Sequence, residues 1–438
     1  MNRFKFNFVV FILQLTCVIA FPQDSLVLNL NNAIKMALQN NTEVVKTNYQ
    51  LKSAEFSLKE AKGNFLPKVS FSALYNRNID KQVLFFSETN ATIKLGSDNF
   101  YSSSLDFSMP IYSSQNIKNR DVNVAQINLQ KEVKSGIEQR IVTNTKLTYF
   151  NYLIALEVVK VQQSQLQNVM QILVDIKKRV EKGTLIKYDL TAAQVQVAIA
   201  KNNLLEAESN VLPAANMFKK SIGLTNVDNV KLIEPIDDLD ATILLEDAEK
   251  QLLLNNSQLK QLALNVGLNN QKIQLIKSNY YPTISAVGNY NFQSQANNFK
   301  VFNYNWVHTS LVGLQFQYVL FNGTITKNKV QQAIIDKKIA EEDLKFASED
   351  FKMQLKEMES LIEFSKKKVL VQRENLDLTK EAFQLAKKRY QLGVSTFLEV
   401  SNAELLFTQA KLNWLKAILN YKSAYYNYQM LIGKEIKL

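Results

Sequence analysis

The chain has 438 residues, with 52 Lys and Arg against 40 Asp and Glu, for a formal net charge of +12. Its 11 Gly, 6 Pro and single Cys are low counts that favour long helices and exclude a disulfide framework. Lys alternates with Glu and Gln, as at Lys352, Lys356 and Glu357, so the charge reads as solvated helical faces and nucleic acid is not an expected partner.

At the N-terminus, Arg3 and Lys5 precede an apolar run from Phe6 to Ala20, with Val18-Ile19-Ala20 as a cleavage region. This reads as a secretory signal peptide over 1–22, because the run is shorter than the ~20 residues a membrane-spanning helix needs. Cleavage would remove Cys17, leaving no thiol nucleophile and no Cys-ligated metal site. No other segment qualifies as a transmembrane helix, so any membrane insertion must use strands.

Leu28 to Asn41 (LNLNNAIKMALQNN) returns as Ile243 to Asn256 (ILLEDAEKQLLLNN) at an offset of 215, which also pairs Leu66-Pro67 with Tyr281-Pro282. Further on the offset is 209 (Leu105-Asp106-Phe107 with Leu314-Gln315-Phe316), then 210 (Arg179 with Arg389, Gly183 with Gly393). The chain is therefore an internal duplication, with repeats over 23–225 and 226–438. In each repeat a first helix (28–64 and 244–279) is followed by two strands, a long helix, a Gly turn and a return helix (186–221 and 396–431). Gly136 is expected to interrupt the first long helix and Pro213 to kink its return helix. The second long stretch, Thr324 to Leu392, has no Gly or Pro. Leu355, Ile362, Val369, Leu376, Phe383 and Tyr390 repeat there every seven residues, preceded by Leu344, Phe351 and Met358 on a second seam. Such a helix would run roughly 100 Å as part of a coiled coil. Tyr152, Val159, Leu166, Leu173 and Val180 are the equivalents in the first repeat.

The four strands alternate. Val69, Phe71, Ala73 and Tyr75 interleave with Ser70, Ser72 and Leu74; Leu105, Phe107, Met109 and Ile111 with Ser104, Asp106, Ser108 and Pro110. Ile284 to Phe292 and Val312 to Leu320 repeat the pattern, with Gln315 and Gln317 on the polar side. Aromatics gather at both ends: Phe65, Tyr112, Tyr280, Tyr281 and Phe321 on the helix side, and Phe100, Tyr101, Phe302, Tyr304 and Trp306 on the far side. Alternation alone fits a soluble sheet equally well. Two features weigh toward tilted membrane strands: long loops on one side only, and no spare apolar helix to cover a sheet. Four strands cannot close a barrel, so self-association follows, and three copies would supply twelve strands.

The duplicated turn motif is Arg389-Tyr390-Gln391-Leu392-Gly393 with Phe397-Leu398-Glu399-Val400 and Ala403. Its copy is Arg179-Val180-Glu181-Lys182-Gly183 with Tyr188-Asp189-Leu190 and Ala193. With Asn64-Phe65-Leu66-Pro67, Asn279-Tyr280-Tyr281-Pro282 and the two-repeat layout, the chain resembles the TolC-type outer-membrane efflux protein family over its mature length. The resemblance implies a mainly α chain with membrane strands, assembled as a homotrimer in the outer membrane of a Gram-negative cell. A twelve-stranded β-barrel would continue into a long periplasmic α-helical barrel. It implies an exit duct for efflux or type I secretion, in contact with outer-membrane lipid, a periplasmic adaptor (membrane fusion) protein and an inner-membrane transporter of RND, ABC or MFS type.

It also implies a periplasmic gate at the turns: Gly183 and Gly393 as left-handed caps, and Glu399 and Asn402 where the family carries a ring of acids. Tyr390 and Asp189 match two members of a closing latch, with Ser395 in place of its Arg, so a weaker closed state is expected, held mainly by packing and by hydrogen bonding between Tyr390 and Asp189. Ser70, Ser72, Asp106, Gln315 and Gln317 would face the barrel lumen. A periplasmic adaptor or a structural coiled-coil protein of the envelope are the alternatives. No enzyme, cofactor or metal is expected: His308 is the only histidine, no Gly-rich phosphate loop is present, and the cargo is not legible.

Overall fold

The computed structural model describes residues 26–224, 230–233 and 247–434. The expected signal peptide and Cys17 lie outside the described residues, as does the expected start of the second first helix at 244–246. The first repeat comprises β1 (Leu26–Leu28), α1 (Leu30–Asn40), α2 (Thr42–Gly63), β2 (Lys68–Arg77), β3 (Gln82–Phe86), β4 (Ala91–Leu95), β5 (Asn99–Ser113), α3 (Ser114–Glu181) and α4 (Lys187–Ser221). The second comprises β6 (Val230–Leu232), α5 (Ala248–Asn255), α6 (Ser257–Lys277), β7 (Thr283–Ala296), β8 (Val307–Gln317), α7 (Ile325–Gln391) and α8 (Phe397–Leu431).

The long and return helices fall within a residue or two of expectation, but several details differ. Gly136 lies inside a continuous α3, where Ile137 and Ile141 pack into the core and hold the turn. Each first helix is broken, at Asn41 and at Asn256. The Asn41 side-chain oxygen accepts from the Glu43 amide at 2.9 Å, an N-cap for α2, while its Nδ2 donates to the Ser221 carbonyl at 2.9 Å. In the second repeat Asn256 donates to the Leu431 carbonyl at 2.8 Å. Each return helix thus ends against the break in its repeat's first helix. Gly223 and Gly433 follow with φ of +74° and +64°, and a Cβ there would stand 2.5 Å from the Asn40 oxygen and 2.3 Å from the Asn255 oxygen. Tyr318 and Leu320 fall beyond β8, and the loop after β2 contains the hairpin β3–β4.

The chain divides into two compact units, each drawing on both repeats. The first takes the chain up to Lys46, Gly136–Asn256 and from Asp350 on. Its core joins Ala33 and Ala37 of α1, Tyr149, Phe150 and Leu153 of α3, and Ala215 and Phe218 of α4. The parallel pair β1–β6 closes over it, with the Tyr152 hydroxyl donating to the Val230 carbonyl at 3.0 Å. All six seam residues of α7, from Leu355 to Tyr390, are buried as their spacing requires. In α3 the register is broader. Tyr152 is buried, but Val159, Leu166, Leu173 and Val180 are half-buried, and Val161, Val169 and Ile176 are the fully enclosed ones. The reason is that α3 packs on three partners, α8 through Leu415, α4 through Val197 and Ala200, and α7 through Phe383 and Tyr390.

The second unit takes Thr47–Ser135 and Ser257–Glu349. Besides the β3–β4 pair it carries a four-stranded antiparallel sheet in the order β2-β5-β7-β8, in which β2 and β8 are each paired on one side only among the described residues. No described residue covers the apolar face of β8: Val312 is 89% exposed, Leu314 74% and Phe316 66%. At one end of that face Tyr75, Tyr101, Tyr304, Trp306 and Phe292 form a chain of ring contacts.

Candidate functional site

In the first unit α3 and α7 end in the same way. The amides of Gly183 and Thr184 donate to the carbonyls of Val180 and Arg179, each at 2.9 Å. Gly393 and Val394 repeat this to Tyr390 and Arg389 at 3.1 and 3.0 Å. With φ of +73° at Gly183 and +79° at Gly393, both are left-handed helix caps that satisfy the last carbonyls and reverse the chain. Beneath the turns, Ile172 and Ile176 of α3, Ala193 of α4, Phe383 and Tyr390 of α7 and Val400 of α8 form one apolar cluster. The four helices meet there, and Phe383 stacks on Phe407 at 5.8 Å.

The expected latch takes a different form. The Tyr390 hydroxyl is buried and completes no hydrogen bond of good geometry among the described residues; the carboxylate it approaches is Asp175, and the expected bond to Asp189 is not made. Instead the Arg179 guanidinium lies 4.8 Å from the Tyr390 ring centre, held by Asp175 at 2.9 Å. The cation beside Tyr390 thus comes from the first repeat, while Ser395 bonds to Glu399. Burial pushes the Tyr390 phenol up; the nearby Arg179 charge opposes this, while Asp175 and Asp189 add to the rise.

Glu399 and Asn402 are exposed on one face of the first turns of α8. Thr396 caps that helix by accepting from the Glu399 amide, and the Glu399 carboxylate accepts from Ser395 Oγ at 2.6 Å. Glu399 therefore stabilises its own helix N-terminus while remaining open to water. Neither Arg179 nor Glu404 was assigned a role from sequence. Glu404 is 1% exposed and neither carboxylate oxygen has a hydrogen-bond partner among the described residues. Burial raises its carboxyl to about 7, with Asn168 and the Lys387 charge opposing the rise.

In the second unit, strand register gathers the expected lumen residues on one face. Ser70 stands opposite Asp106, Ser285 opposite Gln315, and Thr283 opposite Gln317. Ser72 and Ser104 share a hydrogen bond of 2.8 Å. Asp106 accepts from Ser104 and from Asn289, each at 2.7 Å. Ser104 and Asn289 lie on the same face, marked by the same alternation as Asp106. Among the described residues no cluster of His, Cys, Asp and Glu is placed to hold a metal, and no helix is long and apolar enough to cross a membrane.

A family model described as "Outer membrane efflux protein" matches residues 33–224 and 249–434, one segment per repeat. Outer membrane protein TolC of Salmonella enteritidis is 21% identical over 331 residues, and that of Escherichia coli 22% over 334. Each match covers 72% of this chain and 64% of the relative, so under two thirds of the curated relatives is spanned. Among solved structures, the Vibrio cholerae outer membrane protein VceC superimposes with a TM-score of 0.73 at 13% identity, covering 93% of this chain and 97% of that one. The Campylobacter jejuni CmeC outer membrane channel gives 0.72 at 16% identity, covering 92% and 85%. At these identities the likeness is one of fold.

Proposed function

Since the chain belongs to the outer membrane efflux protein family, we propose that it is an outer-membrane exit duct working as a homotrimer. The observation that carries this is the sheet. Among the described residues one face is apolar and uncovered, the other carries a hydrogen-bonded polar ladder, and both edge strands lack a second partner. Open edges are not tolerated in hydrocarbon, and three such sheets joined edge to edge make twelve strands with a polar lumen. The helices support the same reading. Phe364, Val371, Leu378 and Leu385 of α7 lie exposed at seven-residue spacing, a further apolar seam left uncovered by the described residues.

In this reading the strands lie in outer-membrane lipid and the helices in the periplasm. Ser70, Ser72, Asp106, Gln315 and Gln317 line the barrel, and the Gly183 and Gly393 turns meet a periplasmic adaptor fed by an inner-membrane transporter of RND, ABC or MFS type. Gating falls to the turns: Arg179 over the Tyr390 ring holds them together, with the Asp189 charge nearby, and Glu399 and Asn402 face the entrance. A periplasmic adaptor or a structural coiled coil has no use for a sheet apolar on one face. Cell fractionation tests the proposal. A heat-modifiable trimer in the outer-membrane fraction supports it, and a soluble periplasmic monomer refutes it.

A further inference from the structure

Glu404 lies on the α8 face that also buries Ser401 and Thr408, under the apolar cluster of the turns. A carboxyl enclosed without hydrogen bonds is costly when ionised. Asn168 of α3 lies near without completing a hydrogen bond of good geometry, and Lys387 of α7 is the cation whose charge reaches it. Among the described residues Lys387 is the only charged group whose effect on Glu404 is resolved; the other charged or titratable groups on these stretches include Lys380, Glu381, Lys388, Arg389 and Tyr390 on α7, Asp175, Lys177, Lys178, Arg179 and Glu181 on α3, Lys187, Tyr188, Asp189 and Lys201 on α4, and Glu399 and Lys411 on α8. Asp175, Arg179 and Asp189 act on Tyr390, and Glu399 is bound by Ser395. The only histidine, His308, is in β8.

We propose that Glu404 is a proton-controlled switch of the turn bundle: neutral, it packs in the closed arrangement, and ionised, it favours an arrangement in which its carboxylate reaches water or the Lys387 ammonium. As a gating device this rests on the duct reading; as a change in local packing it does not. Burial sets the direction, since the carboxyl stands at about 7 when enclosed against an ordinary 4.5. Below 4.5 both arrangements hold the proton and opening is independent of pH. Between 4.5 and about 7 opening releases a proton, so the open-to-closed ratio rises by up to ~tenfold per pH unit. Above 7 both are ionised and the dependence ends. The closed state is favoured in acid and loses that support as pH rises.

Hydrogen exchange of the full-length protein in detergent, corrected for intrinsic pH effects, reads the peptides covering the Gly183 and Gly393 turns. In the wild type, protection is expected to fall from pH 4.5 to 7 and level off above. Glu404→Gln keeps the acid-form protection throughout, and Lys387→Met moves the midpoint to higher pH by removing the opposing cation. A Glu404→Gln variant that tracks the wild type, or a wild type without pH dependence, overturns the proposal. Conductance in planar bilayers across the same range reports separately on the duct: a protein that forms no pore defeats that reading, while exchange still decides the switch.

Discussion

Gly393→Ala and Gly433→Ala remove the same atoms' worth of freedom from two left-handed positions, φ +79° and +64°, yet the surroundings differ. At Gly393 an added Cβ meets nothing within 4 Å, so the cost is the backbone conformation alone, ~1–2 kcal/mol for an L-residue in that region. At Gly433 the Cβ would stand 2.3 Å from the Asn255 oxygen, 2.4 Å from its carbon and 2.8 Å from the Asn256 nitrogen. All three are backbone atoms, so no side-chain rotation relieves the overlap. Overpacking adds a further ~1–3 kcal/mol, and the joint that Asn256 makes with Leu431 must open. Thermal unfolding of the purified protein is therefore expected to show a modest drop for Gly393→Ala. For Gly433→Ala the drop should be at least twice as large, or the variant should fail to accumulate. Equal drops, or a larger one at Gly393, would refute the assignment of the two glycines to a free turn and a tight joint.

Arg179→Ala removes the cation over the Tyr390 ring, an interaction of ~0.5–2 kcal/mol, and is expected to raise open probability in planar bilayers by ~2- to 30-fold; no change would remove Arg179 from the latch. Asn41→Ala removes the α2 cap and the bridge to Ser221 together, so a stability loss of ~1–3 kcal/mol is expected by denaturant titration. Asn41→Asp keeps the cap and loses the bridge, and should fall between the two. Leu378→Asp places a charge on the uncovered α7 seam and is expected to shift the protein from trimer to monomer in size-exclusion chromatography, with helix content retained.

The α7 seam was legible because each of its residues falls on one helical face at constant spacing, and burial follows that spacing from Leu355 to Tyr390. The strand faces were legible for the same reason at period two. The Asn41 and Asn256 breaks were harder to read, since each depends on a carbonyl about 180 residues away in sequence. The hairpin from Gln82 to Leu95 sits where only a long loop was expected, since its apolar residues lie on both faces and give no clean alternation. At the turns the glycines declared themselves, but the latch did not: only the packing of two repeats brings Arg179 onto Tyr390. Glu404 looks like any solvated helical acid in sequence, and is set apart by what encloses it.

The central claim is that the sheet separates lipid from a water-filled lumen. Single cysteines test it in intact cells, in a background where Cys17 is the only native cysteine. Val312→Cys, Leu314→Cys and Phe316→Cys lie on the apolar face of β8 and its continuation in register, and Gln315→Cys and Gln317→Cys on the polar face. A water-soluble, charged thiol reagent should label the polar-face positions and spare the apolar-face ones, while a fluorophore at the latter is quenched from within the bilayer. Uniform labelling along β8, or protection of the polar face, would contradict the account.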